Sequence, residues 1–165
     1  MSATATQLPE LNSDYNLSSD DIAHFRENGH VLLRGLLSPA ELAAYRPAIN
    51  DAADRFNTET RPMEERDTYG KAFLQIMNLW VRDEAVRRYT LARRFAKVAA
   101  ELMGVDGVRI YHDQALFKEP GGGPTPWHQD QHYWPLDTDN TVTLWMPLID
   151  LRAHIGSMPF GNATH

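Results

Sequence analysis

The sequence predicts an α+β fold, with helices before Gly104 and antiparallel strands after it. Three observations support this prediction. Helix-capping residues precede apolar residues at helical spacing between residues 18 and 104, apolar and polar residues alternate after Gly104, and a Gly/Pro-rich loop at 120–126 interrupts the alternating region. A chain of 165 residues suits one domain, which we place at 18–165 after a flexible N-terminal arm at 1–17.

The helical scaffold, residues 18–104, begins with two recognisable helix starts. Ser18 and Ser38 each precede an acidic residue three positions later, which is the spacing of a capping box, and Gly29 is suited to end the first helix. The apolar run at 30–37 predicts a short strand, and helical spacing over 83–103 predicts a long helix. We expect the apolar faces of these helices to need a sheet to cover them.

The β half, residues 105–165, is predicted from alternation of apolar and polar side chains. One further strand or buried connector is expected in the scaffold, at 72–80. The strands expected in the β half lie at 108–117, 126–133, 141–149 and 156–160.

Composition and charge exclude several functions. There are 16 Lys and Arg against 22 Asp and Glu, for a net charge of −6, and the β half holds only three of the basic residues, so we expect no nucleic-acid partner. The absence of cysteine excludes disulfides and thiolate metal sites. Because no signal peptide or long apolar run is present, we expect a cytoplasmic protein with no membrane partner.

The residues most suited to chemistry lie in the segment 127–134, Trp-His-Gln-Asp-Gln-His-Tyr-Trp. On a strand, His128 and Asp130 point to the same face, and together they supply two of the three donors of a 2-His-1-carboxylate iron site. His132 lies on that face and could support the ligands or contact substrate, whereas His112 is expected in the core. The alternative for the whole segment is a polar edge strand without function.

Six segments of the sequence form a set of motifs: Asp21–His30, Leu32–Pro39, Tyr111–Gly121, Pro126–Trp134, Thr143–Asp150 and Gly156–Phe160. Together they resemble the phytanoyl-CoA dioxygenase family of Fe(II)/2-oxoglutarate oxygenases. The resemblance implies an antiparallel double-stranded β-helix, a jelly roll or cupin-like barrel, with the N-terminal helices packed on it. It also implies Fe(II), 2-oxoglutarate as cosubstrate and O₂ as oxidant, in the hydroxylation of a small-molecule substrate.

The resemblance also assigns roles to individual residues. His128 and Asp130 match the first two iron ligands of the family. Gln114 and Lys118 lie on the segment that lines the 2-oxoglutarate pocket, and Trp145 matches an aromatic position beside that cosubstrate.

The family pattern also includes a later histidine ligand and, after it, an arginine that pairs with 2-oxoglutarate, and neither has a match up to His165. We therefore expect a truncated, C-terminally incomplete jelly roll with little turnover, whose unpaired strand edges favour self-association. Two other functions remain open: a non-catalytic jelly-roll remnant, and a cupin-like metal-binding protein. His165 itself is a further candidate for the third ligand.

Overall fold

The first helix begins and ends at the residues that its sequence predicts. The structure, a computed structural model, describes residues 7–165. Helix α1 (Ser19–Asn28) begins after Ser18, whose hydroxyl accepts a hydrogen bond from the Asp21 amide at 3.0 Å, while the Asp21 carboxylate accepts one from the Ser18 amide at 3.1 Å. It ends at Gly29, whose φ of 78° lies in the left-handed region.

The second helix start is confirmed in the same way. Helix α2 (Pro39–Phe56) follows Ser38, and the Glu41 amide donates to the Ser38 hydroxyl at 3.2 Å. The carboxylate of Glu41 accepts from the Ser38 amide at 2.8 Å, which completes the capping box. The remaining elements in chain order are α3 (Thr68–Ala72), β1 (Leu74–Met77), α4 (Glu84–Thr90), α5 (Arg93–Met103) and β2 (Gln114–Phe117).

The predicted helix at 83–103 is divided into α4 and α5. The break lies at Leu91 and Ala92, where the Arg94 amide donates to the Leu11 carbonyl at 3.2 Å. In a continuous helix this amide would bond to the carbonyl four residues earlier. The N-terminal segment therefore supplies the acceptor at the point where the helix is interrupted.

The prediction of a flexible arm at 1–17 is wrong for the part that the structure describes. Leu11 is 2% exposed and belongs to the core, and the Tyr45 hydroxyl donates to the Pro9 carbonyl at 2.8 Å. The buried Arg94 guanidinium donates to the Ser13 carbonyl at 3.0 Å. Apolar burial and these hydrogen bonds hold residues 7–17 against the helices, whereas residues 1–6 of the predicted arm lie outside the described residues.

The buried core is built almost wholly from the helical part of the chain. Every buried apolar side chain among the described residues lies between Leu11 and Leu102. Leu11 and Leu36 precede α2, and the others lie on α2, α4, α5 and the segments that join these helices. Partly buried side chains of the β half, such as Phe117 and Met146, pack against this cluster. The apolar faces of the helices are thus covered mainly by one another, whereas the sequence analysis expected a sheet to cover them.

The sheet is much smaller than predicted. Strands β1 and β2 pair antiparallel, with Leu74 opposite Phe117 and Met77 opposite Gln114, and they form the sheet of the described chain. Its strands fall inside the predicted segments 72–80 and 108–117.

The other predicted strands are wrong as assigned. Residues 30–37, 126–129, 141–149 and 156–160 hold no strand, and Asp130–Tyr133 forms a 3₁₀ turn. The backbone of Gln129 is extended, with φ −114° and ψ 130°, but a strand also needs a neighbouring strand to receive its hydrogen bonds. The structure therefore shows a mixed helix-and-sheet fold, while the complete jelly roll stays a prediction. None of the helices within residues 7–165 combines the length and apolar character that a membrane crossing requires.

Candidate metal centre

The side chains of His128 and Asp130 lie next to each other. Nε2 of His128 is 3.3 Å from Oδ1 of Asp130, and both side chains are partly open to solvent, at 31% and 42% exposure. The predicted convergence of these two groups is present although their segment is a loop that leads into a 3₁₀ turn. Gln129, between them, points away and donates to the Thr164 carbonyl.

The imidazole of His128 is held by a backbone carbonyl. Its Nδ1 lies 2.8 Å from the carbonyl oxygen of Pro126, and because a carbonyl only accepts, Nδ1 carries the proton. In the neutral ring Nε2 then presents its lone pair on the side of Asp130. This is the orientation that a metal-binding histidine needs.

The carboxylate of Asp130 is also held on one side. Its Oδ2 accepts a hydrogen bond from the Thr143 hydroxyl at 2.6 Å, which leaves Oδ1 facing His128. Sequence reasoning did not identify Thr143 as part of the site. The sequence signal for Thr143 was its position on the strand predicted at 141–149, the next predicted strand after the one that carries His128 and Asp130.

This donor pair fits two neighbouring positions around a divalent transition metal. Adjacent ligands about 2.1 Å from an octahedral ion lie about 3.0 Å apart, close to the observed 3.3 Å separation of the nitrogen and oxygen. Imidazole and carboxylate are also the donor types of non-haem iron sites. Within residues 7–165, however, no three His, Asp or Glu side chains are grouped closely enough to hold one ion.

Two tyrosines extend the site toward the helical scaffold. The ring of Tyr133 packs edge-on to the imidazole of His128, with centroids 5.8 Å apart, and its hydroxyl is hydrogen-bonded to that of Tyr69 on α3. This hydrogen bond raises the pKa of the Tyr133 hydroxyl above its ordinary value. The sequence does not indicate a role for Tyr69, because this residue lies 64 positions before Tyr133. Trp127, which precedes His128, is 75% exposed.

The remaining predicted residues are bound to other groups. The ammonium of Lys118 donates to the carbonyls of Ala72 and Gly123 at 2.7 and 3.1 Å. The amide of Gln114 lies 2.8 Å from His112, which is itself only half-buried and not in the core.

Trp145 is half-buried, and the described structure records no hydrogen bond from Trp145, Gln114 or Lys118 to the candidate ligands. Their role as cosubstrate contacts stays a prediction. His132 packs against Tyr133, and the imidazole of His165 lies over Gly29 at the end of α1.

Comparison with known proteins then gives the family. The family model described as "Phytanoyl-CoA dioxygenase (PhyH)" matches residues 25–165. The chain belongs to the phytanoyl-CoA dioxygenase family. Its members are dioxygenases by name, and this agrees with a site that offers a histidine and a carboxylate to a metal.

A curated relative points the same way. The chain is 24% identical over 119 residues to a probable alpha-ketoglutarate-dependent hypophosphite dioxygenase of Stutzerimonas stutzeri. The match covers 72% of this chain and 40% of the relative, so the chain spans about two fifths of that protein's length. Both matches support an oxygenase function. No solved structure matches the chain.

Proposed function

We propose that this member of the phytanoyl-CoA dioxygenase family is a non-haem Fe(II)/2-oxoglutarate-dependent dioxygenase that hydroxylates a small organic metabolite. The observation that carries the proposal is the side-by-side placement of His128 Nε2 and Asp130 Oδ1. The family match and the 2-oxoglutarate-dependent relative support the choice of iron and cosubstrate.

The role of the protein is to hold two ligands in fixed orientations. The Pro126 carbonyl fixes the His128 ring, and the Thr143 hydroxyl fixes the Asp130 carboxylate. When bound, Fe(II) with 2-oxoglutarate and O₂ supplies the oxidising power to insert oxygen into a C–H bond of the substrate, with succinate and CO₂ as coproducts. The Asp130 carboxylate would occupy a coordination position that could otherwise take another anion, and this favours hydroxylation.

Exposed aromatic side chains beside the ligands favour a small, partly apolar substrate. Trp127 is 75% exposed and Tyr133 49% exposed. The β half carries three basic residues against seven acids, which gives little charge to hold a polyphosphate group such as that of a CoA ester. Because the relative's name specifies hypophosphite, a small phosphorus oxyanion belongs among the candidate substrates to be assayed.

For the cosubstrate we propose contacts from Gln114, Lys118 and Trp145. Lys118 brings a positive charge that complements a carboxylate of 2-oxoglutarate, and it already binds three oxygens, one of them the Thr125 hydroxyl at a long 3.4 Å. The resemblance of these positions to the family supports the assignment. Lys118→Ala should then weaken 2-oxoglutarate binding more than it weakens metal binding.

One observation favours a second function, metal binding without turnover. The described residues bring two donors together and not three. Two protein ligands fix an ion less firmly than three, and oxygenase chemistry depends on a preorganised site. We therefore expect the 165-residue chain alone to release far less than one succinate per chain.

The two functions are separated by one experiment in two stages. Co(II) titration of the wild-type chain, Asp130→Ala and Gln129→Ala should show a marked loss of affinity only in Asp130→Ala, since Gln129 faces away. The wild-type chain is then loaded with Fe(II) and 2-oxoglutarate without oxygen, exposed to O₂, and assayed for succinate. Equal Co(II) affinities in the two variants would refute the metal site. Binding without any succinate, including after addition of candidate substrates, would favour the second function.

A stoichiometric yield of succinate would instead show that a third donor reaches the metal. In that case His165→Ala tests the remaining terminal candidate. Its imidazole now lies against Gly29, so a ligand role would require the C-terminal segment to move. Loss of succinate in this variant, with Co(II) binding retained, would assign the role to His165.

A further inference from the structure

A short segment of the helical scaffold, residues 66–72, contacts the loop that carries the candidate ligands at several points. The Lys71 carbonyl accepts a hydrogen bond from the Gly123 amide at 2.8 Å, and the neighbouring Ala72 carbonyl accepts one from the Lys118 ammonium at 2.7 Å. These bonds fix helix α3 against the start of the ligand loop, residues 118–133.

The same segment is anchored by charge and by its own cap. Arg66, only 9% exposed, forms an ion pair with Glu119. The Asp67 carboxylate accepts from the Gly70 amide at 2.7 Å and so begins α3. Tyr69 therefore projects from a short helix whose position relative to the ligand loop is set by several independent contacts.

Tyr69 reaches the ligand through one intermediate side chain. Its ring lies edge-on to that of Tyr133, with centroids 6.1 Å apart, and the two hydroxyls are hydrogen-bonded. Tyr133 in turn packs on His128. Tyr69 is 45% exposed, so core packing does not account for its position, and its specific polar contact is with the residue that covers the ligand.

We propose that Tyr69 is a positioning residue of the metal centre, acting through Tyr133 on the His128 imidazole. This inference rests on the proposed function, since it requires a metal at His128 and Asp130. The Pro126 carbonyl binds Nδ1 of the imidazole, and the Tyr133 ring packs against the imidazole and restricts its rotation. The Tyr69 hydroxyl keeps Tyr133 from turning away into solvent.

The test compares Co(II) affinity and the Co(II) visible spectrum in the full chain. Tyr69→Phe and Tyr133→Phe each remove one hydroxyl of the same hydrogen bond, so each should weaken Co(II) binding on the order of 3–10-fold, and the double variant should weaken it no further. Both should change the intensity of the Co(II) bands, because the histidine ligand is less fixed. Tyr15→Phe is the matched control, since it removes a tyrosine hydroxyl bond to the Arg34 carbonyl in the scaffold.

The outcomes distinguish this inference from the proposed function. A wild-type chain that fails to bind Co(II) overturns the proposed function, and the positioning role falls with it. A wild-type chain that binds Co(II), with Tyr69→Phe matching it in affinity and spectrum, overturns the positioning role alone. If Tyr15→Phe loses as much Co(II) affinity as Tyr69→Phe, and its thermal midpoint falls as well, the effect is one of general stability. That result would also overturn the positioning role.

Discussion

The hydroxyl of Thr143 donates a hydrogen bond to Oδ2 of Asp130 at 2.6 Å, while Oδ1 of the same carboxylate faces His128. The two carboxylate oxygens therefore differ: Oδ2 is hydrogen-bonded to the protein, and Oδ1 faces the His128 imidazole. The orientation of Asp130 thus depends on a residue thirteen positions further along the chain.

Removing the Thr143 hydroxyl should weaken metal binding. Thr143→Val keeps the shape of the side chain but leaves Oδ2 without its donor, so the carboxylate rotates more freely and Co(II) affinity should fall about 10-fold. Thr143→Ser keeps the hydroxyl and should bind Co(II) within about twofold of wild type. Equal affinities for the Val and Ser variants, measured by the same titration, would contradict the role of this hydrogen bond.

The stability of the scaffold should depend on acid through Glu41. The Arg94 guanidinium, 7% exposed, hydrogen-bonds both oxygens of this carboxylate and lowers its pKa to about 2. In the unfolded chain the pKa of Glu41 has its ordinary value of 4.5. Between these two pKa values the Glu41 carboxyl is therefore protonated to a greater extent in the unfolded state than in the folded state. Its contribution is therefore complete above about pH 5 and is lost as the pH falls from 4.5 to about 2.

Urea unfolding of the wild type and Glu41→Gln across this range measures that contribution. Between pH 5 and pH 2 the wild type should lose about 2–3 kcal/mol more unfolding free energy than Glu41→Gln, which cannot titrate at this position. Other carboxylates titrate in both proteins and cancel in the comparison. Parallel pH profiles for the two proteins would show that the Arg94 pair does not set this dependence.

Gly29 should not tolerate a side chain. Its φ of 78° costs an alanine about 1–2 kcal/mol, and a Cβ there would come within 2.5 Å of the His165 imidazole. Gly29→Ala should lower the free energy of unfolding by at least about 1 kcal/mol. Gly107→Ala, where a Cβ meets open space, serves as the control and should be close to neutral. Similar thermal midpoints for both variants would argue against this geometry.

Amide hydrogen exchange should be slower in the helical part of the chain, before Gly104, than in the part after it. The buried apolar side chains among the described residues lie between Leu11 and Leu102, so amides of α2 and α5 should exchange at least about 100-fold more slowly than those of residues 126–165. Mass spectrometry of peptides from the intact chain measures this directly. Equal protection in both parts would mean that the β half has a core of its own.

The features predicted correctly from sequence depend on near neighbours. The caps at Ser18 and Ser38 involve residues three positions apart. His128 and Asp130, which lie next to each other in the structure, are two positions apart in the sequence. The strand assignments depended on distant partners, and an alternating pattern does not show whether a neighbouring strand receives its hydrogen bonds. Tyr69 is 64 residues from Tyr133, so nothing local linked it to the site.

The exposure of Trp127 has a practical consequence. An indole that is 75% solvent-exposed and adjoins His128 lies within range to lose its excited-state energy to a coloured or paramagnetic ion at the ligand pair. Binding of cobalt or iron at His128 and Asp130 should quench the tryptophan fluorescence of the chain. Zinc has a filled d shell and should leave this fluorescence nearly unchanged. Occupancy can therefore be followed by light emission from the unlabelled protein, at concentrations too low for absorption measurements.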